Sequence, residues 1–361
     1  MAVDRCFVLP GVGLVAAGFI HAGTVRPGDR VLVSPAGHEL RVRGIQAHDE
    51  PAGMAHAGQR VALNLAGTRA DRDSIGRGDW IIDPALHQPT QRLAVQLRLL
   101  PSEARPLKHW TPVHLHLGTA SIAARVSLQL AVPPGEIAQV QLVLDSPFAA
   151  LCGDRFALRD ASSQRTIGGG RVIDPFASPR RPGDRVAALA AWALEDDADA
   201  FAALLNAVPG GIELAAFRQA RNLASTEITT AACIHVGSLG LAPTHWAALK
   251  ADLVAALQAQ HDGQPDDLGA TAEQLAAAFP KRTRPIVPAA LGSLIESGDI
   301  VRTGRLLHRP GREIRLSPAD AALWEAVQAS LAQAALDPPR LTMLAERLGS
   351  DVPGLRGSGS V

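Results

Sequence analysis

The chain has 361 residues, 35 Lys/Arg against 35 Asp/Glu, and no tyrosine; 47% of it is hydrophobic and 19% charged. At roughly 100–200 residues per domain this sets two to four folded domains and excludes a disordered chain. Zero net charge excludes a basic footprint over the whole molecule, so any nucleic-acid contact must rest on local arginine patches, and an aromatic content of 4% excludes base stacking as its main mode.

Lys108, Lys250 and Lys281 are the only lysines, so most positive charge is guanidinium, which suits planar bidentate contact to phosphate or carboxylate. Cys6, Cys152 and Cys233 are few, odd in number and far apart, which points to a reducing cytoplasm with neither a disulfide frame nor a zinc knuckle. The first ten residues carry Asp4 and Arg5 and do not read as a signal peptide. No apolar run of about 18 residues suggests a membrane span.

Residues 1–87 read as a β-barrel. Short β-branched runs at 5–9, 14–20, 30–34, 39–47, 59–65 and 79–82 are punctuated by Pro10-Gly11, Pro27-Gly28, Pro35-Ala36-Gly37 and Gly76-Arg77-Gly78. Many short strands at regular spacing favour a closed barrel, which leaves no exposed edge. Residues 88–176 predict a second barrel, with strands at 93–100, 112–117, 123–130, 137–144, 155–159 and 171–173. His109, His114 and His116 fall within it, and His114 and His116 share a strand face at a spacing zinc can use. No acidic or cysteine ligand stands at a matching position, so we expect polar barrel positions and no metal.

After a Pro-rich linker at 175–182 the chain turns Ala/Leu-rich. Helical spacing appears at 184–195, 198–207, 214–223, 226–234, 245–260, 272–279 and 287–297, with Thr244 and Thr271 as expected N-caps. Three helices followed by a hairpin around Thr303-Gly304 make residues 244–312 a winged helix. A similar unit is expected over 180–243. A partial third is expected over 315–361, with Ser317 as cap and Pro318 at the first helical position, stopping before its third helix and wing. The predicted class is thus multidomain: two all-β barrels, then α+β winged-helix domains.

No Ser/His/Asp nucleophile elbow, paired-carboxylate helix or HExxH occurs, and no catalytic residue is expected. Gly168-Gly169-Gly170 lacks the helix N-terminus and the Lys-Ser/Thr of a phosphate loop; it reads as a tight turn between strands. The stretch from Val3 through Asp4-Arg5 and Pro10-Gly11 to Gly18, followed by Gly23-Thr24-Val25-Arg26-Pro27-Gly28-Asp29, resembles domain II of the translational GTPases, although that family usually has Thr where Ala17 stands. Val3-Asp4-Arg5 together with Ala57-Gly58-Gln59-Arg60-Val61-Ala62-Leu63-Asn64 resembles the bacterial selenocysteine-specific elongation factors more narrowly. Gly153–Asp160 and Gln164–Pro175 resemble the end of domain III in that family.

The resemblance implies a cytoplasmic translation factor that carries selenocysteyl-tRNA to ribosomes paused at a recoded UGA codon. It implies an aminoacyl pocket lined by Asp4, Arg5 and Arg60. A selenol is anionic at neutral pH, and two guanidiniums favour that anion over a neutral serine hydroxyl; Asp4 holds the α-amino group or orients an arginine. Read without the resemblance, the same arginines are barrel-rim charges paired with Asp4. Arg155, Arg159, Arg165 and Arg171 are candidates for contact with the tRNA backbone, or solvated strand charges. The family works with GTP and Mg, but no P-loop occurs here. The expectation is a chain without its GTPase domain, with no cofactor of its own and no GTP hydrolysis by itself. The family grips its mRNA hairpin through the last winged helices, which this chain is expected not to complete. The first two units then act as spacers, although Lys281, Arg282, Arg284, Arg302 and Arg305 surround a helix at 287–297 that is itself not basic. The alternative is a DNA-binding regulator, a β-barrel sensor joined to winged helices.

Overall fold

The computed structural model describes residues 1–67, 75–177, 186–223, 233–264, 267–312, 318–333 and 339–349. The first nine strands are β1 (Ala2–Leu9), β2 (Gly13–Phe19), β3 (Thr24–Val25), β4 (Arg30–Ser34), β5 (His38–Ala47), β6 (Glu50–Ala52), β7 (Ala55–His56), β8 (Arg60–Ala66) and β9 (Trp80–Ile82). Six of them run in the order β4-β9-β1-β2-β8-β5 and close through a β4–β5 pairing, with β6 added beyond β5. Alternation dictates the lining: Leu14 and Ala16 of β2 and Val61, Leu63 and Leu65 of β8 point inward and are buried.

The second barrel contains β10 (Thr90–Leu99), β11 (Thr111–Leu117), β12 (Ala120–Ser127), β13 (Ile137–Phe148), β14 (Arg155–Asp160) and β15 (Thr166–Asp174). It closes in the order β10-β13-β12-β11-β14-β15. Leu93, Val95, Leu97 and Leu99 of β10 fill its core on every second position. The expected glycine turn is corrected here: Gly168–Gly170 lie inside β15, not between strands. A Cβ on Gly170 would stand 1.8 Å from Gln96 O, and one on Gly168 2.7 Å from Arg98 O. The glycines let β15 approach β10 closely enough to close the barrel. The two barrels share packing. Ala2 and Trp80 join the core of the second, Gly118 at φ +58° leaves room for the Trp80 ring, and Thr119 Oγ1 donates to Val3 O at 2.7 Å.

Beyond the barrels come α1 (Val186–Trp192), α2 (Asp197–Ala207), β16 (Ile212–Glu213), α3 (Leu214–Ala220), β17 (Ile234–Val236) and β18 (Leu239–Leu241). Leu189 and Trp192 of α1 pack on Ala94 and Ile173 of the second barrel. Phe201 and Phe217 are fully buried against one another, with ring centroids 5.2 Å apart. The expected helix at 226–234 lies largely outside the described residues, and its last residue, Ile234, is in a strand. Residues 178–182 of the expected linker and the Ser317 cap also lie outside them.

The remaining elements are α4 (Pro243–Gly263), α5 (Ala272–Ala277), α6 (Val287–Glu296), the hairpin β19 (Val301–Thr303) and β20 (Leu306–His308), then α7 (Pro318–Gln333) and α8 (Leu341–Leu348). Leu249, Leu253 and Leu257 bury one stripe of α4 at intervals of four. Thr271 caps α5 with a reciprocal capping box to Gln274. Thr244 does not cap α4, because Pro243 already occupies the first helical turn and Ala242 stands at the cap.

The chain divides into two compact units. One contains both barrels with α1 to α3; the other runs from Leu241 onward and includes the short segments Pro209–Gly211 and Ile234–Gly237. No helix among the described residues is long and apolar enough to cross a membrane.

Candidate functional site

Strand alternation alone would put Asp4 and Arg5 on opposite faces of β1. A register shift prevents that: Val3 pairs with Gly18 and Arg5 with Ala17, leaving Asp4 as an extra residue. Such a bulge keeps two successive side chains on one face. Val3 is buried in the barrel, Asp4 is half-buried, Arg5 is exposed, and Cys6 turns back toward the core. Gly18 permits this close passage, since a Cβ there would meet Ala2 O at 2.1 Å.

Across β2, Phe19 pairs with Arg60 of β8, so Arg60 shares the outer face with Asp4 and Arg5. Arg60 Nε donates to Asp4 Oδ2 at 3.0 Å and Arg60 Nη2 to Asp4 Oδ1 at 3.1 Å. This hydrogen-bonded carboxylate holds the Arg60 guanidinium more firmly protonated. Arg5 makes no hydrogen bond or ion pair among the described residues. With strands about 4.8 Å apart and about 3.3 Å of rise per residue, the Cα atoms of residues 5 and 60 are roughly 12 Å apart. Two extended arginine side chains are long enough to meet across that span. Ala17 and Ala62 pair beside Arg5 and add only methyl groups to the surface between the cations.

The four arginines of the second barrel do not form one patch. Arg165 is tied to Glu103, with Asp160 at 3.5 Å. Arg171 donates through Nε to Gln96 Oε1 (3.2 Å), through Nη1 to Glu195 Oε1 (3.1 Å) and through Nη2 to Ala193 O (2.7 Å), clamping the barrel to the end of α1. Arg155 stands directly opposite Arg171 in the register and is exposed, with no partner among the described residues. Arg159 pairs across β11 with His114 and gives one hydrogen bond, to Gln164 O at 3.1 Å.

The functional reading of the sequence missed the group around Arg221. Its side chain is 4% exposed. It reaches Asp197 Oδ1 at 2.5 Å and the carbonyls of Trp192 and Leu194 at 2.9 and 2.7 Å, and it stacks on Trp192 and Phe217. The hydrogen bonds span 24 to 29 residues of sequence, and no local pattern announces them. With Arg155, Arg171, Glu195 and Cys152 they line a cleft of about 520 Å³. Burial raises the pKa of the Cys152 thiol, which leaves it a poor nucleophile.

A larger groove of about 1010 Å³ runs between the barrels and the end of α3, lined by His21, Trp80, Asp154, Arg155 and Asn222 among others. Burial pushes the Asp154 carboxyl from 3.8 up to about 6, against the opposing hydrogen bond it accepts from Leu151 N. The folded state therefore favours the neutral acid. Its contribution to stability is complete below pH 3.8 and is lost as pH rises through about 6. Asp154→Asn keeps an oxygen acceptor for Leu151 N. It should be more stable than the parent at pH 8 by about 1–3 kcal/mol, with the gap closing below about pH 4. Urea melts at the two pH values check this; a parent at least as stable at pH 8 contradicts it.

His109 accepts from Leu128 N at 3.2 Å. His114 and His116 lie on β11 beside Ala123 and Ser121. Burial, then Arg159 and His114, lower the pKa of His116. Among the described residues no group of three His, Cys, Asp or Glu side chains is placed to hold a metal. The glycine triplet, being strand, does not fit a nucleotide phosphate.

Two closed six-stranded barrels in tandem, the first carrying a bulged Asp-Arg pair on its outer face, define a translation-factor barrel protein. Residues 13–82 match elongation factor Tu domain 2, and residues 90–179 match the β-barrel domain of the selenocysteine-specific elongation factor. The selenocysteine-specific elongation factor of Escherichia coli K12 is 31% identical over 369 residues, covering 99% of this chain and 57% of the relative; that of Desulfomicrobium baculatum is 28% identical over 366 residues, covering 97% and 57%. A crystal structure of a bacterial selenocysteine-specific elongation factor has the same fold, with a TM-score of 0.64 at 21% identity over 96% of this chain and 56% of that one. This chain belongs to the selenocysteine-specific elongation factor family, and spans a little over half the length of these relatives.

Proposed function

We propose that this chain is a selenocysteyl-tRNA-binding portion of a selenocysteine-specific elongation factor, serving UGA-directed selenocysteine incorporation at the ribosome in the cytoplasm. The observation that carries this reading is the bulge at Asp4, which brings Asp4, Arg5 and Arg60 to one face. Asp4 fixes the Arg60 fork with two hydrogen bonds, and Arg5 supplies a second cation. Together they suit an ionised selenium better than a neutral hydroxyl. On the second barrel, Arg155 and Arg159 are the candidates for the tRNA backbone; Arg165 and Arg171 are engaged within the protein. Residues 244–312, with three helices and a hairpin, take the plan of a winged helix, and residues 180–243 serve as a second such unit. GTP and Mg are assigned to none of these residues.

The test is filter binding of the 361-residue chain to one tRNA charged with either selenocysteine or serine. Selenocysteyl-tRNA should bind at least roughly tenfold more tightly, the worth of one charge-assisted hydrogen bond. Equal affinities would remove the proposal.

A further inference from the structure

Gln96, Arg171 and Arg155 stand side by side on three adjacent strands of the second barrel. Gln96 of β10 pairs with Arg171 of β15, and Arg171 pairs with Arg155 of β14. Residues opposed in an antiparallel ladder share a face, with Cα atoms about 4.5–5.5 Å apart. All three line the cleft of about 520 Å³. Like charges directly opposite one another destabilise a sheet, and the fold answers only one of the two. Arg171 is held by Gln96, Glu195 and the carbonyl of Ala193. Arg155 has no partner among the described residues.

A third guanidinium lines the same cleft. Arg221 commits Nη1 to Asp197 and Nη2 to the carbonyls of Trp192 and Leu194. Its Nε is buried and has no acceptor among the described residues. An N–H taken out of water without an acceptor is unfavourable. The lining thus sets Arg155, Arg171 and Arg221 against Glu195 and Asp197, and its excess charge is positive.

We propose that this cleft binds the phosphate group of a small molecule, bridging Arg155 and Arg171. Excess positive charge and unpaired guanidinium donors select an anion. A carboxylate presents two oxygens in one plane, and Glu195 already offers Arg171 that shape. A phosphate presents three strong acceptor oxygens, enough to serve guanidiniums from two strands, and arginine meets it with its planar fork. The Glu195 side chain is 88% exposed. Exposed ion pairs contribute little, so a phosphate can take its place on Arg171. A free small molecule fits better than a continuous RNA strand. The cleft has the volume of small-molecule sites, and Arg171 and Arg221 are recessed, with side chains 30% and 4% exposed. The assignment removes Arg155 from the tRNA-backbone candidates and leaves Arg159. It uses no residue of the first barrel and stands independently of the aminoacyl pocket.

The test is isothermal titration of the 361-residue chain with inorganic phosphate, and with acetate as the carboxylate control, at constant ionic strength. Phosphate should bind and acetate should not compete with it. Arg155→Gln should weaken phosphate at least roughly tenfold, the worth of one charge-assisted hydrogen bond. Glu195→Gln should tighten it about two- to fivefold by removing the competing carboxylate. Asp199→Asn, which neutralises an exposed acid outside the cleft, should leave it unchanged. All three positions are exposed, and circular dichroism confirms that each variant is folded. Phosphate that does not bind the parent, binds Arg155→Gln equally well, or is matched by acetate would overturn the proposal. So would Glu195→Gln binding no more tightly than Asp199→Asn. Phosphate retained in the presence of saturating uncharged tRNA supports a free ligand; its displacement would overturn that assignment and return Arg155 to the tRNA backbone. Arg60→Gln should bind phosphate as the parent does, so this site and the aminoacyl pocket fail separately.

Discussion

Arg60→Gln is expected to lower the affinity for selenocysteyl-tRNA roughly ten- to hundredfold while leaving seryl-tRNA nearly unchanged. A hydrogen bond to an ion is worth far more than one to a neutral group, and only the selenium end presents the ion. The variant should fold normally. The Arg60–Asp4 pair is on the surface, with side chains 60% and 29% exposed, and exposed ion pairs contribute little to stability. That imbalance is the reason to read Asp4 as an orienting group: the bulge that exposes it gains the fold almost nothing. Arg60→Lys should fall between parent and Gln. An ammonium keeps the charge but loses the planar fork that Asp4 holds. Binding assays with both charged tRNAs check the series, and equal losses for the two would show that Arg60 contacts the tRNA body instead.

The second large effect is on folding. Gly170→Ala should prevent the second barrel from closing, because the new methyl would sit 1.8 Å from the Gln96 carbonyl oxygen. Neither partner is a side chain that can swing away. The destabilisation should exceed about 3 kcal/mol, the upper end for ordinary overpacking. Gly292→Ala in α6 is the contrast. Nothing lies within 4 Å of its Cβ position, so the change should stabilise by about 0.5–1 kcal/mol through helix propensity. Thermal melts decide both, and a Gly170→Ala protein melting like the parent would contradict the steric account.

These two sites also mark where the sequence was legible. Period-two alternation and Pro-Gly turns located the strands of both barrels, because each strand has one face in a core. The run at 30–34 matched β4 in full. Thr271 was readable as a cap because the capping box is local. The glycine triplet was misread because a strand without side chains has no alternation to show; its purpose is set by Gln96, more than 70 residues away. The Asp4 bulge is likewise invisible to pattern. It becomes evident only from the pairing of Arg5 with Ala17 rather than with Ala16. Of the four arginines of the second barrel, two proved to be engaged by carboxylates: Arg165 by Glu103 and Arg171 by Glu195. Charge in a sequence does not reveal which cations the fold has already neutralised.

The proposed aminoacyl pocket selects an anion through guanidiniums on the first barrel. That selection is tested most directly by measuring the ratio of selenocysteyl- to seryl-tRNA affinity as pH is lowered until the selenol takes up its proton. Effects of acid on the protein and on the tRNA body enter both affinities and cancel in the ratio. The ratio should fall toward one in the parent chain and stay flat and small in a variant lacking both Arg5 and Arg60. A parent ratio that holds constant across the titration would mean that shape, not charge, makes the distinction.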